Sequence, residues 1–211
     1  MKKFIRLAMI SVICASGLTA CNVLHSSGEM VTSVSINKDG SISSRIVDDF
    51  GEDYYDEEGL KSMIEDAIAD YGRQSPASTV TLKTCKADDN MINVEMEYGD
   101  YKAYSGFNGE NFFAGTVQEA YEAGYDLDFV LSPADNKDTG VISKQDILNM
   151  GENHIVIMER ESGDEGDTFI IEPVRINCFD DVLYVGEGIS AVSKKSVDYK
   201  LNDGTAVVLF K

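Results

Sequence analysis

The chain has 211 residues, of which 18 are basic and 37 are acidic, and these give a formal net charge of −19 at pH 7. Such a charge repels phosphate backbones and anionic headgroups, so the composition argues against nucleic-acid binding. Apolar residues make up 43% of the chain and there are only 3 prolines, which is typical of a folded protein with an ordinary core rather than of a disordered chain.

Residues 1–20 have the layout of a secretory signal peptide. Lys2, Lys3 and Arg6 supply a positive start, and the apolar stretch over 4–14 is too short to span a bilayer. Small residues follow directly, as they do before a cleavage site. No later segment of the sequence is both long and apolar enough to span a bilayer.

The segment Leu18-Thr19-Ala20-Cys21, at the end of this signal, closely resembles the lipobox of bacterial lipoproteins. The resemblance implies that Cys21 is diacylated and becomes the mature N-terminus; the alternative is an ordinary cleaved signal in which this cysteine falls by chance. We therefore expect a signal peptide at 1–20, a polar tether at 21–28 and a single extracytoplasmic domain at 29–211. The domain would be lipid-anchored on the outer face of the cell membrane.

The first folded elements that the sequence predicts are a hairpin and a helix. Two alternating runs in "SVSINKDGSISSRIV" flank Asp39-Gly40, which is a turn signal. The helix has Asp56 as its N-cap and Gly72 as its end. Its predicted apolar stripe, at spacings of three and four, consists of Leu60, Met63, Ile64, Ala67, Ile68 and Tyr71.

A second hairpin is predicted in "TVTLKTCKADDNMINVEMEY", with "ADDN" as its turn. Cys85 falls in the opposite phase to Leu82, whereas Cys178 in "VRINCF" shares the apolar phase of Ile176. The two thiols are therefore expected on different faces. Two free thiols are favoured over a disulfide, which stays open because an exported domain permits one.

Two short helices and several strands follow. Thr116 and Glu119 form a capping box for the first helix, which Gly124 ends. "LDFVL" is predicted to be a strand, and "SKQDILNMG" a helix that begins at Ser143 and ends at Gly151. The remaining strands are predicted in "HIVIME", "TFIIEPVRINCF", "VLYVG" and "AVVLF".

This succession of hairpins with few helices predicts the α+β class: a mainly antiparallel sheet with two or three short helices packed on it. The mature region also resembles a group of uncharacterised lipoproteins of Gram-positive anaerobes, on the stretches "EDYYDEEGLKSMI" and "ISKQDILNMG". That resemblance implies a single exported domain and no particular activity.

One segment partly matches a calcium-binding frame. In "DNKDTGVISKQD", Asp135 falls at the first EF-hand position, Gly140 at the sixth and Asp146 at the twelfth. The third position is Lys137, whose charge opposes a metal, and the fifth is Thr139. A turn that leads into a capped helix accounts for the same residues and is favoured, so no cofactor is predicted and calcium is kept as the alternative.

The acidic residues of the mature chain are interpreted in the same way. Loss of the three basic residues of the leader would leave 15 basic against 37 acidic residues, a charge of −22. We interpret this charge as a solubility device, the alternative being affinity for divalent cations or basic partners. The densest cluster comprises Asp48, Asp49, Glu52, Asp53, Asp56, Glu57 and Glu58, and is interpreted as a solvated face and a helix start.

Aromatic residues concentrate between Tyr98 and Tyr125, which hold eight of the 19 aromatic residues of the chain. One interpretation is a stacking surface for a glycan or a peptide. The other is a compact segment that buries its rings against the sheet, which is the commoner use of such residues. The candidate ligand contacts are Tyr98, Tyr101, Tyr104 and Phe107.

Catalytic signals are few. His25 lies in the tether and His154 at the start of a strand, where a satisfied structural side chain is favoured over a base. The sequence has no HExxH and no GxSxG motif. It therefore favours a binding domain, displayed outside the membrane for a surface protein or glycan, over an enzyme. The alternative is an extracytoplasmic carboxylate-dependent hydrolase, with or without calcium.

Overall fold

The computed structural model describes residues 31–135, 140–160, 174–200 and 204–211. Within these residues the chain forms twelve strands and four helices. The helices are α1 (Glu57–Gln74), α2 (Tyr101–Asn108), α3 (Val117–Glu122) and α4 (Lys144–Leu148). The strands are β1 (Ser33–Ile36), β2 (Ile42–Asp49), β3 (Val80–Asp88), β4 (Met91–Tyr98), β5 (Asn111–Thr116), β6 (Ser132–Pro133), β7 (His154–Arg160), β8 (Val174–Asn177), β9 (Val182–Val185), β10 (Ile189–Ala191), β11 (Ser196–Tyr199) and β12 (Gly204–Phe210).

The strands are arranged in two sheets. A seven-stranded sheet has the order β10-β11-β8-β1-β2-β4-β3, and a five-stranded sheet has the order β5-β7-β12-β9-β6. Among the described strand pairs only β1 and β8 are parallel, and all the others are antiparallel. The predicted α+β class with a mainly antiparallel sheet is confirmed; α2 is a helix that the sequence analysis did not predict.

Two apolar cores lie on opposite faces of the five-stranded sheet. Val208 of β12 packs with Val34 and Ile176 of the seven-stranded sheet, in a core that lies between the two sheets. The neighbouring residue Val207 belongs to a second core, which it shares with Ile147 of α4. Successive side chains of a strand point to opposite faces, so β12 is buried on both faces.

The seven-stranded sheet contributes only one face to the core. In β4, Ile92, Val94 and Met96 are buried, while the residues that alternate with them are partly exposed. This alternation is what a sheet with one face in water requires. The solvent-facing side of this sheet carries the site described below.

Helix α1 begins as the sequence predicts. The side chain of Asp56 accepts a hydrogen bond from the N–H of Glu58, at 3.1 Å, so the predicted N-cap is confirmed. The helix continues through Gly72 to Gln74, however, because Gly72 does not take the left-handed conformation of a terminating glycine. The predicted stripe is also too wide, since Met63 is 57% exposed.

A bulge in β3 reverses the predicted phase of Cys85. The pairing with β4 shifts between Leu82 and Thr84, so that Cys85 pairs with Val94 and packs against the core between the sheets. The prediction that Cys85 lies on the opposite face to Leu82 is therefore wrong, because an inserted residue changes the alternation beyond it. Cys178 is buried as predicted, and both cysteines are free in the structure.

The turn of the second hairpin forms where it was predicted. Asp89 and Asn90 have φ values of 45° and 65°, which is the geometry of the tight turns that suit twisted hairpins. The free edge of β3 is partly covered from α1, because a carboxylate oxygen of Glu57 accepts a hydrogen bond from the N–H of Ala87 at 2.8 Å.

The capping box of α3 is confirmed, and so is its end at Gly124, which has a φ of +87°. The start of α4 is confirmed as well, since the N–H of Ser143 donates to Asp146 at 3.0 Å. This helix ends at Leu148, with Asn149 as its C-cap, rather than at Gly151.

The predicted strand "LDFVL" is wrong. Leu127 and Leu131 are both fully buried and Val130 is 69% exposed, which agrees with the alternation of a strand. The N–H of Phe129 donates to the carbonyl of Leu127, so the chain curls here, and only Leu131 bridges to Ile142. Alternating burial is therefore not sufficient for a strand, because a strand also needs backbone pairing along its length.

Candidate functional site: a polar trough on the seven-stranded sheet

The solvent-facing side of the seven-stranded sheet carries two rows of polar side chains. Each row crosses six strands, because the register places these residues directly opposite one another. The two rows are Asp198, Arg175, Ser33, Arg45, Glu95 and Thr84, and Ser196, Asn177, Ser35, Ser43, Glu97 and Thr81.

A depression forms where the short serines of β1 and β2 lie between longer side chains. We call it the polar trough; its volume is about 410 Å³, which is within the range of small-ligand sites. Ser33, Ser35 and Ser43 form its floor, and none of the described residues that line it is aromatic. Its other lining residues are Ser44, Arg45, Lys83, Glu95, Met96, Glu97 and Asn177.

One wall of the trough is fixed by ion pairs. Nε of Arg45 donates to Oε1 of Glu95 at 2.9 Å, and Oγ1 of Thr84 donates to Oε2 of Glu95 at 3.3 Å. Nζ of Lys83 lies 2.7 Å from Oε2 of Glu97. The hydrogen bond from Arg45 lowers the pKa of Glu95, so this carboxyl group is ionised at neutral pH.

The other wall is fixed by hydrogen bonds. Nδ2 of Asn177 donates to Oγ of Ser35 at 3.1 Å, and Oδ1 of Asn177 accepts from Ser196 at 2.8 Å. Beside it, Arg175 makes two hydrogen bonds to Asp198, at 2.9 and 3.3 Å. The side chains of this ion pair are only 19% and 17% exposed, so their positions are well restricted.

The floor of the trough has hydrogen-bonding capacity to spare. The hydroxyl oxygens of Ser35 and Ser43 accept hydrogen bonds from Asn177 and Asn37. None of the hydroxyl groups of Ser33, Ser35 and Ser43 donates to another group in the described part of the chain. A hydroxyl group carries one donor and two acceptor lone pairs, so three donors are available here to a ligand or to water.

The four aromatic residues that were proposed as ligand contacts lie elsewhere. Tyr98 and Tyr104 are 1% and 6% exposed and belong to the core between the sheets, with their ring centroids 5.0 Å apart. Tyr101 and Phe107 are partly buried, and the ring of Tyr101 lies 4.8 Å from that of Phe113. Ligand contact by these four residues stays a prediction, but burial leaves Tyr98 and Tyr104 almost no ring surface to offer.

His154 is less well satisfied than predicted. Its ring stacks on Phe210 at 5.3 Å between centroids and meets the edge of Phe179 at 4.8 Å. Its Nδ1 atom is buried and has no hydrogen-bond partner among the described residues. The expectation of a satisfied side chain is therefore wrong for this nitrogen, whereas a packing role agrees with the two ring contacts.

The carboxylates that were considered as alternative cation sites make structural contacts where the structure describes them. Residues 136–139 of the calcium frame lie outside the described residues, as do Cys21 and His25. In the part of the chain that the structure covers, no three His, Cys, Asp or Glu side chains are grouped so as to hold a metal ion. Within the acidic cluster, Asp56 caps α1 and Glu57 binds the edge of β3. The absence of a cofactor stays a prediction, with calcium as the alternative.

Comparisons of the chain with protein-family models, with curated proteins and with solved structures find no match. Among the described residues, no helix combines the length and the apolar character needed to cross a membrane. The resemblance to lipoproteins of Gram-positive anaerobes stays a prediction.

The trough is not apparent from the sequence. Its local signal is the polar phase of the first hairpin, where Ser33 and Ser35 alternate with apolar residues and Ser43 follows Ile42. The contribution of Asn177 depends on the pairing of β8 with β1, across 142 residues of sequence. No local pattern carries that information.

Proposed function

We propose that this chain is a lipid-anchored protein of the outer face of the cell membrane, and that its folded part binds a ligand there. The observation that carries the proposal is the order of the basic start, the short apolar stretch and Leu18-Thr19-Ala20-Cys21. Two acyl chains on Cys21 anchor the protein stably, since each buried methylene contributes about 0.8 kcal/mol.

The tether keeps the folded part close to the membrane. Strand β1 begins at Ser33, 12 residues after Cys21 (33 minus 21). Twelve residues span at most roughly 40 Å even when they are fully extended. The polar trough, whose floor includes β1, therefore lies within reach of molecules at the cell surface.

A binding role agrees with the chemistry of the trough better than a hydrolytic one. Glu95 and Glu97 lie two residues apart on one face of β4. Such a pair of carboxylates is what the alternative function, a carboxylate-dependent hydrolase, would require. General acid catalysis by such a pair needs a carboxyl group that keeps its proton near neutral pH. Arg45 instead lowers the pKa of Glu95, and Lys83 pairs with Glu97. These contacts support the use of the trough as a contact surface.

Replacement of the lipobox cysteine tests the anchor. In cells fed an alkyne analogue of palmitate, the full chain should acquire the label and remain with the membrane fraction, and Cys21→Ala should lose both properties. Cys14→Ala is the matched control, because Cys14 lies in the leader and should leave no trace in the mature protein. Label that persists in Cys21→Ala, or disappears in Cys14→Ala, would contradict the proposal.

A further inference from the structure

We propose that the polar trough binds a neutral glycan, an uncharged polymer of hydroxyl-bearing sugar rings. This inference rests on the binding role proposed above and adds the chemical class of the ligand. It is carried by three features of the trough: the balance of its charges, the free donors of its floor and the fixed position of its walls.

The charge balance favours an uncharged ligand. Arg45 is paired with Glu95, and Lys83 with Glu97, so the trough itself carries no net charge. An acidic ligand would have to displace a carboxylate from its partner and would meet the negative charge of the whole chain. A basic ligand would have to displace an arginine or a lysine. An uncharged ligand leaves both pairs intact, so that no charge is left without its partner.

The floor offers the groups that a sugar needs. Ser33 and Ser35 are two residues apart on one strand, and Ser35 lies opposite Ser43 on the next. These separations are roughly 7 Å along the strand and about 5 Å across it. A sugar hydroxyl both donates and accepts, as a serine hydroxyl does, and the rings of a glycan present such groups on this scale. The three available donors therefore match a chain of hydroxyl groups.

The fixed walls reduce the entropic cost of binding. Asn177 is held between Ser35 and Ser196, and Glu95 is held between Arg45 and Thr84. Side chains that are already ordered lose little rotamer freedom when a ligand arrives. Without an aromatic ring among the described lining residues, stacking does not contribute, so each site should bind weakly, with Kd about 1 mM. Many copies anchored on one membrane would compensate through avidity.

The test displays the full chain on beads through a C-terminal tag, so that the result does not depend on Cys21. The probes are immobilised neutral glycans (glucan, mannan and chitin oligosaccharides), acidic glycans (hyaluronate and polygalacturonate) and polylysine. We expect retention on at least one neutral glycan, competed by the same oligosaccharide in solution at millimolar concentration. Retention on none of the neutral glycans, stronger retention on an acidic glycan, or retention on polylysine that depends on the serines of the floor would overturn the inference.

Substitutions on the floor assign the binding to the trough. The triple variant Ser33→Val, Ser35→Val, Ser43→Val removes all three donors and keeps residues that favour strands; we expect at least a tenfold loss of retention. Ser190→Val is the matched control, because Ser190 is an exposed serine of the same sheet, on the edge strand β10 and outside the trough. Equal retention by the two variants would overturn the inference.

A milder variant covers the case in which the triple variant unfolds. Ser35→Ala removes one hydroxyl group without adding bulk, and it should weaken retention severalfold while the unfolding midpoint stays near that of the unchanged chain. Undiminished retention by Ser35→Ala would then count against the trough. Attachment to the beads does not depend on the lipid, so the two proposals can fail separately. No retention on neutral glycans, with normal labelling of Cys21, would contradict the glycan proposal and leave the anchor intact. Loss of the label with normal glycan retention would remove the anchor alone.

Discussion

At the scale of single residues, the ion pair of Arg45 and Glu95 determines how the trough responds to pH. The two side chains are 42% and 31% exposed, so water weakens the attraction without abolishing it. Arg45 lowers the pKa of Glu95 in the folded state, whereas the unfolded carboxyl group titrates near its ordinary value of about 4.3. The stabilisation is therefore complete above that value and is lost as the pH falls through the lower pKa of the folded state.

We accordingly expect Glu95→Gln to lower the free energy of unfolding by about 1 kcal/mol at pH 7. The loss should shrink as the pH falls below about 4, because the unchanged chain loses the same interaction there. Urea denaturation at pH 7, 4 and 3 measures both effects. Glu97→Gln is the control: its partner Lys83 is 53% exposed, and loss of such a pair should cost less than about 0.5 kcal/mol at pH 7. Equal losses in the two variants at pH 7 would contradict this assignment.

At the scale of elements, the acidic residues before α1 are not equivalent. Asp56 accepts a hydrogen bond from the first turn of the helix, and Glu57 binds the backbone of β3. Asp53 is exposed, in the turn that precedes them. The same type of residue thus starts a helix, covers a sheet edge and carries solvated charge within five positions of the chain.

The difference can be measured with two alanine variants. Asp56→Ala should destabilise the chain by about 1 kcal/mol, because an N–H of the first turn loses its acceptor. Asp53→Ala removes the same charge from the same stretch and should leave the free energy of unfolding within about 0.5 kcal/mol of its original value. Chemical denaturation of the full chain distinguishes them, and a larger loss for Asp53→Ala would show that the cluster has another role.

Elements that depend on neighbouring residues were predictable, and those that depend on distant ones were not. The capping box of Thr116 and the turn at Asp89 are local, and both form as predicted. The bulge near Lys83 has no local signal, and it carries Cys85 to the other face. The curled stretch that ends at Leu131 was predicted as a strand because its burial alternates, but among the described residues only Leu131 pairs with another segment. Four strands were missed: β6, β10 and β11 have only two to four residues, and β5 buries Phe112 and Phe113 consecutively rather than in alternation.

At the scale of the whole molecule, the acidic residues act mainly through their number. The formal charge of −19 opposes compaction, since like charges approach one another when the chain folds. Dissolved salt screens this repulsion, with a Debye length of about 10 Å at 0.1 M. If the cations act only by screening, monovalent and divalent salts of equal ionic strength should stabilise the fold equally. A specific site for one cation would add stabilisation beyond that.

We expect the unfolding midpoint of the full chain to rise by a few degrees between low salt and about 0.3 M NaCl. CaCl₂ at the same ionic strength should produce the same rise within about 1 °C. A bound ion at 100 times its Kd would add about 2.7 kcal/mol and several further degrees. Such an extra rise, abolished by a chelator, would show a specific calcium site, for which the frame from Asp135 to Asp146 is the candidate.

The parallel pairing of β1 with β8 also determines when the protein can fold. The hydrogen-bond partner of Ser35 is Asn177, 142 residues further along the chain. The seven-stranded sheet therefore cannot be completed until most of the polypeptide has been synthesised. Contacts between residues so far apart in sequence form slowly. An exported chain with this topology would still lack its native sheet while it is threaded through the membrane, and β1 would acquire its second neighbour only after the C-terminal half had emerged on the far side.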